Sequence, residues 1–389
     1  MKKKIEEIIQ ILTSEIIHEI GLLTGIGGQI LICSELFLHK KILQEWLLHL
    51  NNILEERLAS ENFIATHCGG LAGIGWLYEY LSQRKIIDYD TNTLLEDFDT
   101  YLEKALNGFM RQGNYDFLHG GVGIALYFTK RVAKKKEIVP VLAHFLENLE
   151  RTSTQQEDGT IKWLSFLGEQ HNPQYGYNIS LSHGMASIVA ILSKLYKTDG
   201  LDKEKIEILL RGVVQYILAQ EINREKYGCY FPSFALESMT DIYKSRFGWC
   251  YGDLGIASVL YQTGTVLKER AWIEKALEIF LFSTSRRDPA GDVILCHGTA
   301  GIGHIFYRMW WNTRLPQFKE ATDYWFEQTL KMAVFEDGLA GFKTLEMPDG
   351  KAQWVNKYSL LEGIAGIGLA MLTYYYELEP AWDECLLLS

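Results

Sequence analysis

The sequence predicts an all-α protein, a closed (α/α) toroid of seven inner and seven outer helices, and three observations carry that prediction. First, one short pattern recurs: glycine, two residues, glycine or serine, then usually isoleucine. Its copies begin at Gly25, Gly70, Gly120, Gly184, Gly252, Gly298 and Gly363, with Gln29, Ile74, Ile124, Ile188, Ile256, Ile302 and Ile367 in the fifth position. Repeats spaced by 45 to 68 residues signal an array or ring of helix pairs. Second, the segment within each pattern is apolar nearly all round, as in Ile30-Leu31-Ile32-Cys33, which marks a buried helix. Third, each interval has room for an amphipathic helix. An open solenoid would leave the apolar helices wet, whereas closing the array buries them.

Taken in order, Ile5, Ile8, Ile9, Leu12, Ile16 and Ile20 sit at helical spacing with charges between them, and predict an outer helix that ends at Gly21. Further outer helices are expected at 41–58, 93–112, 139–152, 203–221, 271–284 and 315–335. The longer intervals around 153–180, 222–247 and 336–360 are expected to carry loops or short strands over the mouth of the ring. Seven prolines, 34 glycines and 48% apolar residues describe a folded, core-rich chain with no linker-like stretch. A single domain over residues 1–389 is therefore expected, without an inserted domain.

Composition excludes several function classes. A formal net charge of −11 disfavours nucleic-acid binding, which normally shows a basic stripe. The run Lys134-Lys135-Lys136 reads as the solvated end of a helix. Six cysteines, Cys33, Cys68, Cys229, Cys250, Cys296 and Cys385, are too sparse for a secreted disulfide framework. No apolar signal-peptide region follows Met1-Lys2-Lys3-Lys4, and no window approaches the ~20 apolar residues of a membrane span. A reducing cytoplasm is the expected compartment.

Aligning the seven copies places Thr24, Gly69, His119, His183, Tyr251, His297 and Glu362 directly before the leading glycine. One place earlier stand Leu23, Cys68, Leu118, Ser182, Cys250, Cys296 and Leu361. Ligand-capable side chains thus gather at one level, at the start of the inner helices, which a packed core would not choose. In a ring, repeats four to six are neighbours, so His183, Cys250, Tyr251, Cys296 and His297 converge. Two cysteines and a histidine suit zinc, and three protein ligands leave one tetrahedral position open, as in catalytic sites. The competing reading of Cys250 and Cys296 is that of small buried core residues. Cys68 shares the register but reads as a structural thiol. Asp116 reads equally as a turn or N-cap residue, and His119 as a histidine packed at a helix start.

The series Trp-Cys-Tyr-Gly at 249–252, Cys-His-Gly at 296–298, Ser-His-Gly at 182–184 and Leu-Leu-Glu-Gly-Ile-Ala-Gly-Ile at 360–367 resembles the lanthionine synthetase C family, the class I lanthipeptide cyclases. The resemblance spans essentially the whole chain. It implies a seven-fold α/α toroid with one Zn²⁺, and an enzyme that adds a peptide cysteine to dehydroalanine or dehydrobutyrine. Carried over, Cys250, Cys296 and His297 are the implied zinc ligands, His183 the active-site histidine, Asp116 the aspartate before the third inner helix, Arg246 the arginine and Tyr251 the tyrosine beside the first ligand. A dehydrated precursor peptide, a dehydratase and a membrane exporter are the implied partners. The chain departs from the family in having His119 where many members have a small residue. It also has little room between Gly70 and Gly120 for the peptide-binding insertion of some members.

These residue types allow a consistent chemistry. A thiol with a pKa near ~8.5 needs a metal to be a thiolate at neutral pH. Addition to a dehydroamino acid then creates an enolate that needs stabilisation and a proton. His183 is the leading acid/base, Arg246 the stabiliser, Asp116 an orienting group or base, and Tyr251 a second donor. Four rivals stand beside this reading. The first is addition of glutathione or another small thiol to dehydroamino acids in proteins. The second is an α/α-toroid glycosidase using carboxylates such as Asp116, Asp253 and Glu362. The third is a metal-free peptide-binding ring, and the fourth a prenyltransferase-like arrangement that activates a peptide thiol on zinc.

Overall fold

The computed structural model describes residues 1–40, 43–60, 63–166, 175–288 and 290–389. Among them, seven apolar inner helices each begin at the residue after a leading glycine: α2 (Ile26–Lys40), α4 (Leu71–Gln83), α6 (Gly121–Arg131), α8 (Met185–Tyr196), α10 (Asp253–Leu267), α12 (Thr299–Thr313) and α14 (Ile364–Tyr375). The outer helices are α1 (Lys2–Leu12), α3 (Gln44–Ser60), α5 (Glu96–Arg111), α7 (Val139–Thr152), α9 (Lys203–Leu218), α11 (Arg270–Ser283) and α13 (Pro316–Lys331). Of the helix expected at 41–58, residues 41 and 42 lie outside the described residues.

The second glycine of the repeated pattern has a steric origin. A Cβ on Gly123, Gly255, Gly301 or Gly366 would run into the backbone carbonyl of Phe117, Trp249, Leu295 or Leu360, each three places before its leading glycine. The turn folds back over the first helical turn, and only a hydrogen at that position lets it close. In the fourth copy Ser187 takes the place and donates its hydroxyl to the Gly184 carbonyl at 2.7 Å.

The N-terminal helix is shorter than its periodicity suggests. It stops at Leu12, and Ile16 and Ile20 lie in irregular backbone. Thr13 and Ser14 turn their hydroxyls back onto the carbonyls of Ile9 and Ile11, each at 2.9 Å, which competes with the helical ladder. The buried Gln29 side chain then binds the groups so released. It donates to the carbonyls of Leu12 and Glu15 and accepts from the Ile17 N–H at 3.3 Å. That explains why the fifth position of the first copy is not isoleucine.

Three two-stranded antiparallel hairpins occupy two of the long intervals: β1 (Thr154–Gln155) with β2 (Ile161–Lys162), β3 (Ser165–Phe166) with β4 (Tyr175–Gly176), and β5 (Thr344–Glu346) with β6 (Gln353–Val355). Residues 167–174 of the interval expected to hold loops or strands lie outside the described residues. The interval 222–247 carries a four-residue helical turn at Arg224–Tyr227, a 3-10 turn at Leu236–Ser238 and a β-bridge from Phe234 to Asn178.

The chain forms two compact units. The first holds residues 1–64, 68–89 and 284–383, and the second residues 65–67, 90–283 and 384–389. In the first, the inner helices pack in the order α12, α14, α2, α4, so the last repeats lie against the first, with α13 on α12, α1 on α14 and α3 on α2. In the second the order is α6, α8, α10, with α5 and α7 on α6, α9 on α8 and α11 on α10.

Backbone hydrogen bonds join equal register positions of successive repeats. In the first unit the N–H of Cys296 donates to Leu361 O at 3.2 Å, that of Leu361 to Leu23 O at 2.9 Å and that of Leu23 to Cys68 O at 3.0 Å. In the second, the Ser182 N–H donates to Cys250 O at 3.3 Å. The level that sequence alignment marks as rich in polar side chains is therefore also a belt of paired peptide groups. No helix among the described residues is long and apolar enough to cross a membrane.

Candidate metal and acid–base site

Cys250, Cys296 and His297 each stand one or two places before a leading glycine; the Cys296 turn is bonded to that of Leu361 in the first unit, and the Cys250 turn to that of Ser182 in the second. Cys250 belongs to the second unit and Cys296 and His297 to the first, and together they form a group of two sulfurs and an imidazole that could hold a metal ion. Cys250 is buried and the other two are half-buried. Nδ1 of His297 is itself buried and has no hydrogen-bond partner among the described residues. A buried nitrogen lone pair or N–H left unpaired is costly, and a metal ion would satisfy it. Two sulfurs and an imidazole are the donor set that zinc prefers, so these residues fit the ion.

A second cluster belongs to the turns before α6, α8 and α10. His183 Nδ1 donates to Asp116 Oδ2 at 2.6 Å, and the other Asp116 oxygen accepts from the His119 N–H at 2.7 Å. The carboxylate thus fixes the His183 tautomer and leaves Nε2 as the outward nitrogen. Burial alone would lower the His183 pKa, but the Asp116 pairing and charge outweigh it and raise it above the ordinary value. The Tyr251 ring lies 6.2 Å from that of His183, and burial pushes the Tyr251 hydroxyl pKa up. The His119 ring stacks on that of His183 with centroids 6.1 Å apart, and its own pKa is lowered, chiefly by burial. Arg246 is exposed, and its charge acts favourably on an ionised Tyr251. Ser182 ties this cluster to the first, since its hydroxyl donates to Cys250 O at 3.2 Å.

A family model described as "Lanthionine synthetase C-like protein" matches residues 5–387. The chain belongs to the lanthionine synthetase C-like family. It is 23% identical to "Nisin biosynthesis protein NisC" of Lactococcus lactis subsp. lactis over 395 aligned positions, covering 95% of this chain and 89% of that protein. The solved structure of "Nisin cyclase" superposes with a TM-score of 0.77 at 21% identity, covering 100% of this chain and 97% of that one. The fold is accordingly the all-α (α/α) toroid expected from the seven-fold repeat.

Several groups in this lanthionine synthetase C-like chain are not visible as site residues from spacing. Asn178 accepts the Ser180 N–H at 2.9 Å, and the Ser180 hydroxyl accepts the His183 N–H at 3.2 Å, which builds the turn that presents His183. The asparagine two places before Ser180 was the available signal, an Asx-turn. Asp292, buried near His297, accepts the N–H groups of Val293 at 2.6 Å and Leu345 at 2.9 Å, and so anchors β5 beside the Cys296-His297 turn. Asp253, one of the carboxylates a glycosidase would need, is fully buried and accepts the Tyr230 and Phe231 N–H groups at 3.0 Å. It is a structural cap for that loop. Cys68 is buried, with its carbonyl in the belt.

Gly252 alone among the leading glycines that cap their helices has a left-handed backbone, φ 81° and ψ −154°, a region open essentially to glycine only. A Cβ there would overlap Ser245 Oγ and sit 2.7 Å from Arg246 O. Gly252→Ala is expected to lower stability by about 1–3 kcal/mol and to weaken metal retention by disturbing the Cys250 turn. Thermal unfolding and metal content of the same preparation check it.

Proposed function

We propose that this chain is a zinc-dependent lanthipeptide cyclase. It adds cysteine thiols of a dehydrated precursor peptide to dehydroalanine or dehydrobutyrine residues of the same peptide, closing lanthionine or methyllanthionine rings. The observation that carries this reading is the donor set Cys250, Cys296 and His297, which could hold a metal ion, with the His183–Asp116 pair attached to the Cys250 turn through Ser182. The likeness to proteins named for nisin supports a peptide as substrate.

Held by Cys250, Cys296 and His297, zinc would supply the Lewis acidity that keeps a peptide thiol ionised at neutral pH. The sulfur forms a bond to the β-carbon while the carbon–carbon π pair moves to the α-carbon and its carbonyl as an enolate. His183, kept protonated to higher pH by Asp116, gives its Nε2 proton to the α-carbon. The proton released by the thiol replaces it, so the addition is balanced. Asp116 holds the imidazole orientation throughout. Arg246 faces solvent and offers a guanidinium to the enolate oxygen, while Tyr251, with its pKa raised, stays protonated and serves as a second donor. Dehydration of serine and threonine must come first, so a dehydratase supplies the substrate, and a membrane exporter takes the cyclised product.

The test is incubation of the zinc-loaded protein with a dehydrated peptide that retains its cysteines. Free thiols are expected to disappear with no change in peptide mass, because intramolecular addition conserves it. Thiols that persist while the peptide gains mass from added glutathione would move the small-thiol reading to the front. Thiols that persist with no gain in peptide mass, with or without glutathione, would sink the enzyme reading.

A further inference from the structure

The segment Glu384–Ser389 belongs to the second unit and is held there carbonyl by carbonyl. Lys130 and Lys194 both grip the Glu384 carboxylate, Lys194 at 3.0 Å, and Lys194 also donates to the Ser389 carbonyl at 2.6 Å. Gln262 of α10 donates to Leu387 O at 3.2 Å. Cys385, Leu386, Leu387 and Leu388 are buried. Two further contacts come from turns at the starts of inner helices. His67 Nε2 donates to Cys385 O at 2.9 Å, and Trp249 Nε1 donates to Leu386 O at 2.8 Å.

The neighbours of those two donors give the arrangement its meaning. Trp249 directly precedes Cys250. Phe117 directly follows Asp116, and its ring contacts those of both His67 and Trp249, with centroids 4.9 and 6.3 Å away. His67, Phe117 and Trp249 all occupy the third place before a leading glycine. Their side chains form one seat for the segment, while residues beside them in the chain carry the candidate metal and acid–base groups. The turn at Cys250 has no regular ladder of its own and passes through the left-handed Gly252. It therefore needs an outside anchor.

We propose that the segment Glu384–Ser389 is a positioning element for Cys250 and Asp116, acting through Trp249 and Phe117. The inference rests on the reading of Cys250 as a zinc ligand. Without its carbonyl acceptor the buried Trp249 N–H is unpaired, and the turn shifts to recover a partner. Groups that orient metal ligands without touching the metal commonly change affinity by about 10- to 100-fold.

Trp249→Phe in the full chain removes the N–H and keeps an aromatic ring. Three measurements read its effect: zinc affinity by chelator competition, the absorption spectrum of the cobalt-substituted protein, and hydrogen exchange at the Leu181 and Ser182 amides. Those amides donate to Cys250 O at 3.2 and 3.3 Å, so they report on the turn whether or not metal is bound. The control is Tyr127→Phe, which removes a buried hydrogen bond to Asp99 of 2.5 Å between α5 and α6 in the same unit. Trp249→Phe is expected to weaken zinc binding by about tenfold or more, to shift the cobalt spectrum, and to speed exchange at both amides by about tenfold. Tyr127→Phe is expected to leave all three unchanged at a similar loss of thermal stability. Wild-type exchange at Leu181 and Ser182 in Trp249→Phe overturns the inference, as does a control that reproduces every change. A wild-type chain that binds no zinc would sink the proposed function, and the two amides would still decide this inference.

Discussion

Cys296→Ala is expected to take the purified chain from about one zinc to under about a tenth of one, and to slow thioether formation by about 10³-fold or more. The reason is chelation. Three donors hold an ion together, whereas Cys250 and His297 alone would leave half its tetrahedral shell to water. Loss of metal would also leave His297 Nδ1 buried without a partner, so a modest fall in melting temperature should accompany it. Elemental analysis of wild type, Cys296→Ala and Cys33→Ala decides the matter. Cys33 is a buried thiol whose pKa burial pushes up to about 12, an inert sulfur, and its removal should leave the zinc in place. A wild type that stays empty when zinc is supplied would overturn the metal reading, and so would equal zinc in all three proteins.

His183→Ala is expected to slow ring closure by about 10²- to 10⁴-fold, the usual contribution of a general acid, with zinc content unchanged. Asp116→Asn tests the same pair through pH. The His183 pKa is raised because the Asp116 pairing outweighs burial, so the protonated form survives to higher pH than an ordinary imidazole near 6.5. Activity that needs the protonated form is lost as pH rises through that folded-state value. Removing the carboxylate lowers the value, so the alkaline limb of the rate profile should move to lower pH. The pair's contribution to stability has the same sign. It is fully present below the unfolded pKa and fades as pH rises through the raised folded one. An alkaline limb unmoved in Asp116→Asn would show that another group delivers the proton, with Tyr251 the next to test.

Much of the site was legible in the register of the repeats. Cys250, Cys296, His297 and His183 stand out because seven aligned copies put polar residues where a core would have none, and Asp116 followed from the family resemblance. Asn178, Ser180 and Asp292 escaped notice because their work is to bind backbone N–H groups, which leaves only weak local signs. Asp253 reads in the sequence either as a glycosidase-type carboxylate or as a group that satisfies backbone donors, and it accepts from the Tyr230 and Phe231 amides.

What the sequence by itself determined is the plan: seven apolar helices begun by glycines, seven amphipathic ones between them, and one level rich in ligand-capable side chains. That plan is local and periodic, so hydrophobic pattern and turn chemistry suffice to read it. Tertiary structure decided what takes up the groups released where α1 ends, because Gln29 binds the carbonyls that a longer helix would have used internally. It alone decided that Asp116 pairs with His183 across 67 residues, and that Trp249 donates to a carbonyl 137 residues away. Such contacts depend on which turns fold against one another, and no periodicity in the chain encodes that.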